Sequence, residues 1–191
     1  MKVAIDVEGK FKLELRDADG NLVDTREGNN IWTDAGREFL CEILAFKALS
    51  SGTTYRDDKV SYIAVGTGAK STAQGNILSL AAPAYWTTGA YLAPLQSPPT
   101  FPISATSTTK TAVQFVREYG LTDISQGGSV ILTEAGLFTN GDPQNNFDTA
   151  TFITNPANFS SAYAPVAYKT FEPITKTNDF TLKIIWEIRF L

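Results

Sequence analysis

The chain has 191 residues, of which 19% are charged, whereas soluble domains average about 25%. It contains no histidine and a single cysteine, Cys41, which excludes an intramolecular disulfide, a Cys/His zinc site and Ser-His-Asp catalysis. The net charge of −4 argues against a nucleic-acid partner, which would require clustered Lys and Arg. We therefore expect neither an enzyme nor a metal or cofactor site.

The charged residues are distributed unevenly along the chain. The first 70 residues hold 22 of the 36 charged side chains, while a run of 39 residues inside 71–110 holds none. Aromatic residues interrupt this run, and disordered segments contain few aromatics. We expect a single domain over 1–191, with a hairpin, helix and strand in 1–70, an extended uncharged arm in 71–110 and β-strands in 111–191. An apolar leader and a window of about 18 apolar residues are both absent, so we expect no membrane partner.

The N-terminal part predicts a hairpin followed by a helix. Apolar and charged residues alternate over 11–16, the period of a half-buried strand, and the Asp-Gly-Asn sequence at 19–21 favours a tight turn. Thr33 or Asp34 can cap a helix that ends near 50–52. The apolar residues on one side of this helix are Phe39, Leu40, Ile43, Leu44 and Phe46.

The remaining strands are predicted from period-two alternation and short apolar runs. They are expected at 60–65, 113–119, 130–138, 147–153 and 165–171, with a turn at 140–143. The strongest signal is the apolar residue at every second position from Phe180 to Phe190, which predicts a strand of about 36 Å. The fold is expected to be mainly β, an antiparallel β-sandwich or jelly-roll-like module with one N-terminal-region α-helix and a long Pro-rich arm.

Two segments resemble ligand-binding loops without having the required spacing. Residues 66–72 carry the glycines, lysine and hydroxyls of a phosphate loop, but Ala69 separates Gly68 from Lys70. We favour a glycine turn that leaves a strand. Residues 17–24 carry alternate oxygen donors, as a calcium loop does, but the glycine and glutamate of such a loop are misplaced. We interpret these residues as a plain hairpin turn.

Paired carboxylates could hydrolyse glycosidic bonds, and the β-rich part supplies several. The candidates are Glu118, Asp123, Glu134, Asp142, Asp148, Glu172, Asp179 and Glu187. Their spacing singles out no pair, which leaves hydrolysis as the weakest hypothesis. Glu134 interrupts the apolar run 130–138, so we expect it at a strand end or bulge, paired with an Arg or Lys.

The aromatic and apolar residues of the uncharged segments are expected to contact a partner. Interface cores are depleted in Lys, Glu and Asp and enriched in Tyr, Trp and Phe. The alternative is that Trp86 and the tyrosines of the arm anchor it by packing against the domain. The predicted interface residues are Tyr85, Trp86, Tyr91, Leu92, Leu95, Phe101, Phe159 and Tyr163.

Several segments, in a fixed order, resemble small tailed-bacteriophage virion structural proteins. They are the hairpin at 9–21, Asn-Asn-Ile-Trp-Thr-Asp-Ala-Gly at 29–36, Ile-Ala-Val-Gly-Thr-Gly at 63–68, Thr-Glu-Ala-Gly-Leu-Phe at 133–138, Phe-Glu-Pro-Ile-Thr-Lys-Thr at 171–177 and the closing strand. The resemblance spans nearly the whole chain and implies a β-rich subunit of decoration, tail-fibre or tail-tip type without catalysis. In such proteins a short acidic helical linker follows the glycine turn, whereas here the uncharged arm intervenes.

We expect a virion structural protein, made in the bacterial cytoplasm, that self-associates as a trimer and cements the capsid by contacting the major capsid protein. A cement is favoured over a fibre because the chain shows no shaft repeat or coiled coil. The alternative is a tail-tip, baseplate or tail-fibre component that contacts tail proteins. Such a component could also bind cell-surface glycan through Trp86, Tyr91 or Tyr163.

Overall fold

The structure, a computed structural model, describes residues 7–44, 60–69, 77, 79–85, 91–102, 111–124, 128–139 and 164–190. The strands in these ranges are β1 (Val7–Asp17), β2 (Leu22–Trp32), β3 (Val60–Gly66), β4 (Ala93–Pro94), β5 (Ala112–Tyr119), β6 (Ser129–Thr139), β7 (Ala167–Thr177) and β8 (Phe180–Phe190). The helix is α1 (Asp34–Leu44). The predicted strand at 147–153 and the predicted turn at 140–143 lie outside the described residues.

All eight strands belong to one sheet in the order β4-β3-β6-β7-β2-β1-β8-β5, and every neighbouring pair is antiparallel. The edges of the sheet approach each other because the chain after β4 runs along β5. The Gln96 N–H donates to Val116 O over 2.9 Å, and Thr100 and Gln114 exchange backbone hydrogen bonds of 3.0 and 2.7 Å. The mainly β, antiparallel prediction is confirmed, and the sheet is nearly a closed barrel. The finer prediction of a sandwich or jelly roll is not confirmed.

The closing strand β8 lies between β1 and the edge strand β5. It pairs with β1 at eleven positions and with β5 at eight. The inward residues of β8 are buried, and they are Leu182, Ile184, Trp186 and Ile188. The ring of Phe11 meets Trp186 edge-on at 5.1 Å and stacks on Phe171 at 5.5 Å. Aromatic packing of this kind fills the interior between β1, β7 and β8.

The first hairpin forms where the sequence predicts it. Gly20 adopts a φ of +85°, a conformation that favours glycine. The Asp17 carboxylate accepts hydrogen bonds from the backbone N–H groups of Asp19 (3.0 Å) and Asn21 (2.8 Å) and from Asn21 Nδ2 (3.0 Å). The Asn21 side-chain hydrogen bond is the main cause that lowers the pKa of Asp17. The interpretation of residues 17–24 as a hairpin turn is confirmed, because the Asp17 carboxylate accepts hydrogen bonds from within the turn.

Thr33 starts the helix and ties it to the sheet. Its Oγ1 accepts a hydrogen bond from the Gly36 N–H over 3.1 Å, which is an N-cap contact. Its own N–H donates to Val166 O over 3.1 Å. Of the two predicted caps, Thr33 is therefore the one used, and Phe39, six residues further along, is buried in the core. The predicted helix end near 50–52 lies outside the described residues.

Candidate interaction surface

The first described part of the uncharged arm covers the outer face of the sheet. We call residues 79–85 the covering segment. The Thr67 N–H donates to Ala82 O over 2.8 Å, and the Ala84 N–H donates to Val65 O over 2.9 Å. A second apolar cluster forms beneath and beside it, composed of Ala64, Ile77, Leu80, Tyr91, Leu92, Phe138 and Tyr168. This part of the arm is folded onto the domain.

Glu134 holds the covering segment in place. Its carboxylate accepts hydrogen bonds from the N–H groups of Ala81 (3.0 Å) and Ala82 (2.8 Å) and from the Tyr168 hydroxyl (2.7 Å). The Glu134 side chain is completely buried. The pairing of β6 with β7 shifts register between Leu132 and Glu134, so the predicted bulge is confirmed. Backbone amides and a phenol bind this carboxylate where we expected an Arg or Lys.

The glycine turn after β3 fits closely around this carboxylate. A Cβ atom on Gly66 would lie 2.4 Å from Glu134 Oε1 and 2.6 Å from Ala82 O. The neighbouring Thr133 hydroxyl donates to Gly68 O over 2.6 Å. The two glycines thus allow β3, β6 and the covering segment to approach one another, which supports the turn interpretation over a phosphate loop.

The predicted interface residues differ in how far they are buried. Tyr91 and Leu92 are buried, with 5% and 1% exposure, so they act as packing anchors in the core and leave no surface for a partner. Tyr85 is half-buried and stacks on Tyr91 with ring centroids 4.0 Å apart. Leu95 is half-buried against the main core, whereas Phe101 is 49% exposed. The remaining three, Trp86, Phe159 and Tyr163, lie outside the described residues.

The most exposed described part of the arm is residues 94–102, which we call the uncharged strip. It contains four prolines, no charged residue and Phe101, and none of its residues is fully buried. Arg117 Nη1 donates to Pro94 O over 3.1 Å, and the bonds to β5 hold the other end of the strip. Prolines fix φ, so little conformational entropy remains to be lost when a partner binds. The strip is therefore the best candidate for a partner contact.

A groove of about 510 Å³ lies on the outer face of β2, β1, β8 and β5. Its charged side chains lie in ion pairs, with one another or with Glu8 and Glu14 beside the groove. Lys12 Nζ lies 3.0 Å from Glu14 Oε1 and 3.2 Å from Glu27 Oε1, and Arg189 binds Glu187. Hydrogen bonds from Arg16 and Lys12 lower the pKa of Glu14 below its usual range. Because these charges are already paired, the groove is a weaker candidate than the strip.

Two of the carboxylates considered for hydrolysis have hydrogen-bond or ion-pair partners in the described part of the chain. Glu134 binds the covering segment, and Asp123 accepts the Gly120 N–H over 2.9 Å and lies 3.7 Å from Arg117. Asp142 and Asp148 lie outside the described residues. In the described ranges, no group of three or more His, Cys, Asp or Glu side chains could hold a metal ion.

Two buried polar side chains stabilise one end of the sheet. Lys176 is completely buried, and its Nζ donates to Leu121 O and Thr177 O, each over 2.8 Å. Burial lowers the pKa of Lys176 to about 8, although the charge of Asp123 acts in the opposite direction. Tyr119 is also completely buried, with its hydroxyl donating to Ile63 O over 3.1 Å. Burial raises the pKa of Tyr119 above its ordinary value.

These two groups predict a maximum of stability near pH 10. The pKa of Lys176 is about 8 in the folded chain against an ordinary 10.5, so the unfolded chain binds more protons and stability rises with pH in this interval. Tyr119 acts oppositely above its ordinary pKa of 10.0, because only the unfolded phenol ionises there. We expect the free energy of unfolding to rise by about 2 kcal/mol between about pH 8 and 10.

Urea unfolding from about pH 7 to about pH 11 measures this profile. The Lys176→Met variant is expected to lose the rise in the free energy of unfolding and to keep its fall above about pH 10. If the free energy of unfolding of Lys176→Met still rises in this interval, groups other than Lys176 cause the rise.

The described helix does not have the length or hydropathy to cross a membrane, a statement limited to the described part of the chain. Comparison with known proteins finds no protein family, no curated protein and no solved structure that matches this chain.

Proposed function

We propose that the chain is a non-enzymatic structural protein of a tailed-bacteriophage virion, which self-associates as a trimer and binds the capsid surface as a decoration protein. The uncharged strip is the observation that carries the protein-binding part of this proposal. It is largely exposed, carries no charged residue, is stiffened by prolines and contains the aromatic residue Phe101, a composition typical of interface cores. The virion assignment rests on the ordered motifs of the sequence.

The fold supports this role by presenting the strip on a rigid base. Hydrogen bonds to β5 fix Gln96 and Thr100, and buried Tyr91 and Leu92 precede the strip in the core. Burying the exposed part of Phe101 against a partner stabilises the complex by roughly 1 kcal/mol, about half the value of a fully buried phenylalanine. An interface that includes the neighbouring prolines would add to this contribution.

The Phe101→Ser variant tests the strip. We expect the dissociation constant for self-association to rise about tenfold, as when a central aromatic contact is truncated, while the unfolding free energy changes little because Phe101 is 49% exposed. Analytical ultracentrifugation over a range of protein concentrations measures the change. Ile131→Ser is the matched control, since Ile131 is 55% exposed and lies on β6. Equal effects of the two variants would refute a specific role of the strip.

Point substitution is preferable to deletion of the arm. Removing residues 83–102 would also remove Tyr91, Leu92 and Ala93, which are buried in the domain. The resulting loss of packing would unfold part of the sheet. An assembly defect in such a deletion would then report misfolding and not the loss of a contact.

The competing proposal places the chain in the tail tip, baseplate or tail fibre. Quantitative mass spectrometry of purified particles separates the two locations, because a decoration protein covers the many repeated sites of a capsid whereas a tail position offers few. A copy number comparable to that of the major capsid protein supports decoration, and a copy number of a tail component contradicts it. The burial of Tyr91 removes one of the three aromatic residues considered for glycan binding.

A further inference from the structure

Three connections meet at one end of the sheet. Strand β8 starts opposite the end of β1 and beside the end of β5, and β7 ends beside the start of β6. The connections β1–β2, β5–β6 and β7–β8 therefore lie together, and we call this part of the molecule the hairpin end. The exposed large apolar side chains at the hairpin end are Leu22, Val23, Leu121 and Ile131. Exposed apolar side chains that cluster within a polar rim commonly mark a protein-binding site.

The connection after β5 is held in place from within the chain. The Lys176 ammonium donates to Leu121 O over 2.8 Å, and the Asp123 carboxylate accepts the Gly120 N–H over 2.9 Å. Ile124 is buried and adopts a φ of +69°, a conformation that is strained for a β-branched residue. Leu121 is thus presented on a fixed and strained connection, and backbone strain of this kind clusters at functional sites.

Carboxylates without an ion pair lie beside these apolar side chains. Asp17 and Asp19 belong to the β1–β2 turn, and Asp179 belongs to the β7–β8 turn. In the described part of the chain, none of the three forms a salt bridge. The two turns therefore give the hairpin end an acidic rim.

The cations near the hairpin end do not neutralise this rim, because each lies next to other carboxylates or is buried. Lys183, further along β8, lies between Glu14 of β1 and Glu118 of β5. The others are bound within the chain, namely Arg16 to Glu14, Arg26 to Asp24, Arg117 to Asp123, and buried Lys176 to Leu121 O. The hairpin end thus combines apolar side chains with excess negative charge.

This charge decides which kind of partner the hairpin end fits. A second copy that used the same end would bring two acidic rims together, and like charges across an interface are costly. Nucleic acids and anionic lipid surfaces are repelled for the same reason. A protein surface with an apolar centre and a rim of Lys and Arg is complementary in both respects.

We propose that the hairpin end binds such a basic-rimmed apolar site on a different protein, and that in the virion this protein is the subunit of the capsid lattice. The inference rests on the proposed function, and it assigns the contact with the capsid to a surface other than the uncharged strip. The strip runs from the middle of β5 toward its start, since Thr100 pairs with Gln114, whereas the hairpin end lies beyond the end of β5. Self-association through the strip and binding to the capsid can therefore occur together.

Co-sedimentation of the full chain with capsids assembled without it tests the proposal. The double variant Leu22→Ser, Val23→Ser is expected to raise the dissociation constant for capsids about tenfold, as when central contacts of an interface are truncated. Phe190→Ser is the control, because Phe190 is an exposed apolar residue at the opposite end of β8, and its dissociation constant should stay unchanged. Equal binding by the double variant and the intact chain would overturn the proposal.

Ile131→Ser is the second variant, should the double variant fail to fold. It is expected to weaken capsid binding and, as the control for the strip, to leave self-association unchanged. Capsid binding by Ile131→Ser equal to that of the intact chain would equally overturn the proposal.

The acidic rim is tested by the double variant Asp19→Asn, Asp179→Asn. We expect its dissociation constant for capsids to be roughly threefold higher than that of the intact chain at about 0.1 M salt and equal to it at about 1 M, where exposed charges are screened. Glu27→Gln, Glu172→Gln removes the same two charges from exposed positions outside the hairpin end and should leave binding unchanged. Equal effects of the two double variants would contradict a basic rim on the partner.

Failure of the proposed function gives a different result from failure of this inference. If the intact chain does not sediment with capsids, the decoration role is wrong, and the inference that rests on it is wrong as well. If the intact chain binds and the hairpin-end variants bind equally well, the decoration role stands and only the assignment of the hairpin end is wrong.

Discussion

Replacing Glu134 by alanine is expected to lower the free energy of unfolding by about 3 kcal/mol and to release the covering segment. The substitution leaves three donors without their acceptor, namely the N–H groups of Ala81 and Ala82 and the hydroxyl of Tyr168. A buried donor without a partner costs about 1–3 kcal/mol, and solvent reaching the loosened segment recovers part of the sum. Urea unfolding measures the stability, and amide exchange at Ala81 and Ala82 measures the release.

Glu118→Ala is the matched control, because this glutamate is exposed on β5 and its loss should change stability by less than about 0.5 kcal/mol. Tyr168→Phe removes one of the three hydrogen bonds and should cost about 1 kcal/mol. A Glu134→Ala variant that matches Glu118→Ala in both stability and exchange would show that the carboxylate does not fasten the covering segment.

Replacing Gly36 by alanine is expected to lower the free energy of unfolding by about 2 kcal/mol. A Cβ atom at this position would lie 2.2 Å from Val166 O and 2.9 Å from Trp32 Cε2. The helix would have to move away from Val166, whose carbonyl accepts the Thr33 N–H, and overpacking of this kind costs about 1–3 kcal/mol. The helical preference of alanine over glycine recovers at most about 1 kcal/mol. Thermal and urea unfolding both measure the loss.

Gly120→Ala provides the comparison for Gly36→Ala. The nearest atom to a Cβ on Gly120 is Asp123 Oδ2 at 3.7 Å, an ordinary contact, so the change in stability should stay within about 0.5 kcal/mol. If Gly36→Ala were as stable as Gly120→Ala, the close approach of the helix to Val166 would not constrain the fold.

Strands with uninterrupted alternation could be predicted from the sequence because the buried face repeats every second residue. β8 and the first half of the hairpin follow this rule. In β7 the rule fails, since Ala167 and Ile174 are both buried although they are an odd number of residues apart. The irregular register opposite Leu132 and Glu134 causes this change, and alternation alone gives no sign of it.

The role of Glu134 illustrates a second limit of sequence reasoning. Its position in an apolar run indicated that the carboxylate needed a partner. The partners are the backbone amides of Ala81 and Ala82, and an amide carries no side-chain signal that sequence patterns can detect. The short strand β4 was not predicted, because a strand of two residues is too short to show an alternation of apolar and polar residues. Burial of Tyr91 and Leu92 likewise depends on where the arm returns to the sheet.

The closure of the sheet by residues 95–100 links assembly to folding. The strip reaches both edges of the sheet, since the Leu95 N–H donates to Ser61 O over 2.9 Å and the Gln96 N–H donates to Val116 O over 2.9 Å. A partner that binds the strip in this arrangement binds the folded chain, in which the sheet is closed. It does not bind the unfolded chain. By mass action, a partner present at 100 times its dissociation constant would then raise the free energy of unfolding by about 2.7 kcal/mol. The protein would therefore be more resistant to unfolding in its assembly than as a free chain.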